Sequence, residues 1–136
     1  MSRDLHASGS FDVSLAPLAA YDTAPGTPLG RMSIDKQFRG ELDAASVGEM
    51  LMSRSAVQGS AGYVAIERVT GTLKGRRGSF VLMHMGTMDR GAQGLVITVV
   101  PDSGTDELTG LSGSMKIIID GQAHAYEFDY TFRSER

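Results

Sequence analysis

The chain has 136 residues, a formal net charge of -3, 17 glycines and 41% apolar residues, with neither cysteine nor tryptophan. A chain of that length fits one domain, residues 1–136, and buries enough surface to fold without a metal or disulfide. Cysteine chemistry is excluded and a cytoplasmic setting suits the sequence, while scattered Arg and Lys in an acidic chain give no phosphate-binding surface, so no nucleic-acid partner is expected.

Residues 10–17 alternate Phe11, Val13 and Leu15 with Ser10, Asp12 and Ser14, the period of two that marks a strand half in a core and half in water. Residues 18–30 follow, with Pro25, Gly26, Pro28 and Gly30, and read as a surface loop and the longest candidate lid. Residues 31–39 alternate again, placing Met32, Ile34, Lys36 and Phe38 on one side. Residues 46–56 alternate less cleanly, Val47, Glu49 and Leu51 facing opposite to Met50 and Met52; a helix competes here, but Gly48 and the following glycine-rich turn favour a strand.

Residues 63–73 and 79–88 flank Lys74-Gly-Arg-Arg-Gly78 and form an expected hairpin. Its second arm is apolar on both faces, Phe80 and Leu82 on one, Val81, Met83 and Met85 on the other. Only one face of a barrel strand can point inward, so the other predicts a subunit contact. Residues 95–100 repeat this character. Residues 110–119 and 122–132 make the clearest hairpin, with Asp120-Gly121 as its expected type I′ turn. That register sets Ile117 against His124 and Met115 against Tyr126 on an inward face, with Lys116, Glu127 and Asp129 in water.

Eight strands in sequence, joined mainly by short turns, predict an all-β domain: a single eight-stranded antiparallel up-and-down barrel, since closure removes both exposed edges. Such a barrel is either filled by side chains or just wide enough for one small ligand. No run reaches the roughly 20 apolar residues of a membrane-spanning helix, and the N-terminus lacks the apolar stretch of a signal peptide, so neither membrane insertion nor secretion is expected.

The stretch Gly71-Thr-Leu-Lys-Gly-Arg-Arg-Gly-Ser-Phe-Val-Leu-Met-His-Met-Gly-Thr87, then Val100-Pro-Asp-Ser-Gly-Thr-Asp-Glu-Leu-Thr-Gly-Leu-Ser-Gly113, resembles the bacterial domain of unknown function 3224 family, as do Glu67-Arg68-Val69 and Phe38-Arg-Gly. The resemblance covers nearly the whole chain and carries no established activity. That family in turn resembles the allene oxide cyclase-like and dirigent-like barrels, of calycin-like type, whose Gly-Thr-Gly turn is similar to Gly104-Thr-Asp106; here Asp106 stands in place of the second glycine. The likeness implies the barrel, and neither the cyclase nor the radical-coupling activity transfers, because a shared fold is not a shared site.

The chemistry-bearing candidates lie mostly on the expected inner faces. If the Lys74–Arg77 loop has an even number of residues, Glu67 sits opposite His84, with Tyr63 two inward positions further along. A carboxylate that orients an imidazole makes a general acid or base near neutral pH; the same pair can equally serve as a buried hydrogen bond that fixes register. Glu67 and His84 are therefore the candidate catalytic residues. Lys36 and Glu49 lie among apolar neighbours, where an unpaired charge is costly, and are expected to pair with each other. Arg68 points away from Glu67 and is expected to find a carboxylate on its own side, across a subunit boundary. His124 and Tyr126 either give a pocket its polar handles or belong to a filled core. Tyr63, Lys36, Glu49, His124 and Tyr126 complete the candidate ligand-binding set. His6, His84 and His124 lack metal-ligand spacing and no nucleotide or nucleophile-elbow motif occurs, so no cofactor or metal is expected. The expected partners are a small apolar or aromatic ligand and further copies of the chain. An isomerase or cyclase acting by proton transfer, a carrier, and a structural oligomer with a filled barrel remain as functions.

Overall fold

The computed structural model describes residues 4–133. Eight strands run in chain order: β1 (Leu5–Leu18), β2 (Leu29–Gly40), β3 (Leu42–Arg54), β4 (Ala61–Leu73), β5 (Arg76–Asp89), β6 (Ala92–Val99), β7 (Leu111–Asp120) and β8 (Ala123–Phe132). Each pairs antiparallel with the next, and β8 pairs with β1, closing the barrel. The expected eight-stranded antiparallel barrel is what forms. The competing helix over residues 46–56 is absent, since residues 46–54 lie in β3.

Alternation decides which side chains fill the interior. On β4, Ala65, Glu67 and Val69 are buried while Val64, Ile66 and Arg68 are exposed; on β5, Phe80, Leu82 and His84 are buried while Met83 and Met85 are exposed. Lys116, Glu127 and Asp129 face water, as their alternation requires.

Two hairpins close two residues away from the expected register, the first because its turn is shorter than expected and the second because its two-residue turn begins at Gly121, where φ is 65°, instead of at Asp120. The β4–β5 turn is Lys74-Gly75, with φ of 47° and 84°, and Leu73 pairs with Arg76. Positive φ at both central residues is the type I′ geometry that matches strand twist, so Arg76 and Arg77 extend β5 instead of lengthening the loop. The β7–β8 turn is Gly121-Gln122, with Asp120 opposite Ala123, Ile119 opposite His124 and Ile117 opposite Tyr126. Both slips are of two residues, which preserves the face of every side chain and changes only its partner.

The two ends of the barrel differ. At one end Phe38, Leu42, Leu73, Phe80, Leu111 and Phe128 are all but fully buried. A short 3₁₀ turn, Asp106–Leu108, drives Leu108 into that end. It is held along the β5 edge, where the Thr105 backbone N–H donates to Ser79 O at 2.9 Å and the Val81 N–H donates to Ser103 Oγ at 3.0 Å. β6 pairs with β7 only at Thr98 and Ser114, so the connecting segment takes over β5's hydrogen bonds where β6 stops. Asp106 has φ of 52°, a left-handed conformation in which aspartate replaces glycine at modest cost. At the other end Leu15, Met88, Leu95 and Ile119 remain 37–65% exposed although their positions alternate inward. The 19–28 loop leaves those residues uncovered: with Tyr21 fully exposed, it borders a groove of about 500 Å³ that runs from the outer faces of Leu51, Val64 and Met85 over the rim to Met52, Tyr63 and Gly86.

Candidate functional site

Glu67 is the centre of the polar interior. It is fully buried, and three strands bring donors to it: Lys36 Nζ from β2 at 2.9 Å and His84 Nε2 from β5 at 2.5 Å, both to Oε2, and Ser46 Oγ from β3 at 2.6 Å to Oε1. Burial pushes the carboxyl pKa up, but the His84 hydrogen bond, the Lys36 charge and the Ser46 hydroxyl outweigh it and hold the group at about 2. Glu67 is therefore an anion at neutral pH, and His84 Nε2 carries the proton donated to it. Lys36 Nζ also lies 5.2 Å and 5.6 Å from the ring centroids of Phe11 and Phe38, within cation–π range.

The expected Glu67–His84 contact exists, but along a diagonal. Glu67 faces Leu82 and His84 faces Ala65 in the β4–β5 ladder. The expected Lys36–Glu49 pair does not form. Glu49 follows Gly48 onto the outer face, where its Oε1 accepts from Arg31 Nε at 2.8 Å, which lowers the Glu49 pKa through that bond and the Arg31 charge. The sequence placed Lys36 on an inner face but measured it against its neighbour on β3; its partner lies one strand further round. Ser46 was missed altogether. Its signal was available, since it shares the inward parity of Met50 and Met52, where an unpartnered hydroxyl would be costly.

Tyr63 sits at the step between the polar cluster and the open end. Its ring lies 6.4 Å from the His84 ring and directly over Gly86, its ladder partner, where an added Cβ would overlap the ring. Gly86 thus decides where Tyr63 can lie. Burial, then the Glu67 charge, pushes the Tyr63 hydroxyl above the ordinary phenol range. Tyr63 also lines a cavity of about 320 Å³ in the barrel mouth, with Met50, Met52, Met88, Leu95 and Gly94. The cavity is apolar, and Tyr63 joins it to the acid–base cluster.

The remaining candidates separate from this site. Tyr126 is structural: its hydroxyl accepts from the Leu42 N–H at 2.9 Å and lies 2.9 Å from Arg39 O, fastening the β2–β3 corner. His124 packs its ring 5.2 Å from that of Phe11, the ring that Lys36 Nζ also approaches. His6 is on the outer surface with Asp129 at 2.7 Å. Arg68 makes no ion pair among the described residues, and no helix among them is long and apolar enough to cross a membrane.

These features define a class: a small antiparallel barrel plugged at one end, open at the other, with a buried Lys–Glu–His cluster between. The chain belongs to a family described as "Protein of unknown function (DUF3224)", whose model matches residues 7–130. It is similar to a crystal structure of a protein with unknown function from the DUF3224 family of Shewanella oneidensis MR-1, with 53% identity, 98% of this chain and 100% of that one covered, and a TM-score of 0.94. No curated protein matches the chain.

Proposed function

We propose that the protein binds a small, largely apolar or aromatic ligand in the open end of its barrel, in the cytoplasm, and that proton transfer by the Glu67–His84 pair is the chemistry open to it. The observation that carries this is the roughly 320 Å³ apolar cavity whose wall residue Tyr63 packs on His84. That volume is at the lower end of small-molecule sites. The larger groove, which shares Met52, Tyr63 and Gly86 with this cavity and extends from them to the outer face, is a weaker candidate, because it is flanked by the fully exposed Tyr21 and by Arg31, whose ion pair with Glu49 is solvated. Saturation-transfer NMR with 2-tetralone tests the reading. The expected result is transfer to the ketone that Met52→Trp, which fills the cavity, abolishes and that the outer-face change Met85→Lys leaves intact. Transfer that survives Met52→Trp would place the ligand elsewhere.

A second reading, a homo-oligomer, is favoured by the outer face of β3 to β6. There Leu51, Val64, Met85 and Val96 form one cross-strand row, with Ile66 and Met83 beside it, all about half exposed. Apolar patches this contiguous mark interaction surfaces. The occupant we propose is a second copy: Arg68 lies in this field and Asp35 at its edge, flanking Val47, and neither has an ion-pair partner among the described residues. A two-fold contact would let each meet the other across the interface. Light scattering should show a dimer that Arg68→Asp dissociates and that Arg68→Asp with Asp35→Arg restores; a monomeric wild type would refute it. The two readings are compatible, one using the inside of the barrel and the other its outside.

A further inference from the structure

Building on the cavity as the binding site, we infer that its ligand is a small carbonyl compound with an ionisable C–H beside the carbonyl, that His84 Nδ1 moves that proton, and that the Tyr63 hydroxyl holds the carbonyl oxygen. Most polar side-chain atoms of the interior are already committed. Lys36 Nζ, Ser46 Oγ and both Glu67 oxygens are used within the cluster. The Tyr126 hydroxyl is used at the β2–β3 corner. His84 uses only Nε2, and Tyr63 makes no side-chain hydrogen bond among the described residues. Yet no buried side-chain nitrogen or oxygen there lacks a partner. His84 Nδ1 and the Tyr63 hydroxyl therefore both retain open surface, and both side chains face the barrel interior. His124 also has spare capacity, but its ring lies against Phe11, whereas His84 is the histidine packed beside Tyr63, the residue through which the cavity meets the cluster.

The two free groups are complementary. With Nε2–H committed to an ionised carboxylate, the neutral imidazole offers Nδ1 as an acceptor, while the phenol, held protonated by burial and the Glu67 charge, offers a donor. A base that removes a proton from carbon works only if the electron pair left behind is stabilised, and a hydrogen bond to the oxygen receiving it does that. In the step, the C–H bond breaks and an Nδ1–H bond forms. Its electron pair becomes the C=C of an enolate whose oxygen accepts from Tyr63. The imidazolium, stabilised by Glu67, then returns the proton to carbon at either end of the conjugated system or to oxygen. Nothing is oxidised or reduced and no co-reactant is consumed. His84 and Tyr63 are the catalytic residues; Glu67 is a positioning residue.

The test follows deuterium entry from D₂O into 2-tetralone by mass spectrometry, beside saturation-transfer NMR on the same samples. Wild type should exchange the protons beside the carbonyl on the order of 100-fold faster than buffer, the scale of general-base catalysis. Tyr63→Phe, which keeps the ring over Gly86, should lose about 10- to 100-fold, and His84→Ala should fall to the buffer rate while still binding. Glu67→Gln should slow exchange per folded molecule while saturation transfer to the ketone persists, because the imidazole loses the carboxylate that orients it; a merely structural role would change the amount of folded protein and not the rate per folded molecule. Bound ketone exchanging at the buffer rate in wild type, or full exchange in Tyr63→Phe, would overturn this inference while leaving the binding site standing. Absence of saturation transfer in wild type would overturn both.

Discussion

The two ends of the barrel are built from the same alternating strands and come out differently because of side-chain reach. At the plugged end, Phe80 and Phe128 stack at 5.8 Å and Phe128 and Tyr130 at 5.1 Å, and Leu108 is delivered from outside the strands to fill what the barrel residues leave. At the open end the inward positions hold mainly methionine, leucine, isoleucine and glycine, with Tyr63 at the step down to the cluster, and among the described residues there is no equivalent of Leu108 and no ring stack. Stability therefore concentrates at one end and capacity for a ligand at the other. Between them lies the Lys36–Glu67–His84 cluster, buried enough to depend on its own pairing.

Stability measurements by urea unfolding can break that comparison. The largest effects should come from the plug and the cluster. Phe128→Ala opens a cavity in the packed end and should cost about 3–5 kcal/mol. Glu67→Leu strands the buried Lys36 charge and should cost a similar amount, roughly 3–5 kcal/mol, whereas Lys36→Met with Glu67→Leu should recover most of that loss. Acid should act through the same carboxylate. Its folded pKa of about 2 lies below the ordinary 4.5, so its contribution, roughly 3 kcal/mol, is complete above pH 4.5 and is lost as pH falls towards 2; the acid limb of stability should flatten in the Lys36→Met, Glu67→Leu double variant. Tyr126→Phe leaves the buried Leu42 N–H without its acceptor and should cost about 1–3 kcal/mol. The smallest effect should be at the mouth, where Met88→Ala, already 37% exposed, should cost less than about 1 kcal/mol. A Met88→Ala loss as large as that of Phe128→Ala would mean that both ends are packed alike.

Period-two alternation made the strands, their inner faces and the barrel legible, because it depends only on neighbouring residues. Pairing across strands was less legible. The Lys74-Gly75 turn required a positive φ at a lysine, which the glycine-rich run Lys74-Gly-Arg-Arg-Gly78 disguised as a longer loop. For the same reason the Glu67–His84 contact was expected straight across the ladder and is found on its diagonal. Lys36 was assigned to Glu49 because strand neighbours are the natural first choice, whereas barrel curvature lets a long side chain reach past β3 to Glu67 on β4. Tyr126 shared its face with His124 and looked like a possible handle; only the β2–β3 corner, far away in sequence, reveals what its hydroxyl is for. Leu108 lies between the strands expected over residues 95–100 and 110–119, outside any alternating pattern, and its burial depends on that segment running along β5.

The eight methionines supply the most direct test of the central claim, that the open end of the barrel takes an apolar ligand. With ¹³C-labelled methionine methyls, titration with 2-tetralone should shift the Met50, Met52 and Met88 resonances, which line the cavity, while Met115 in the packed core and Met83 on the outer face stay fixed. Shifts confined to Met83 and Met85, or no shift at saturating ketone, would contradict it.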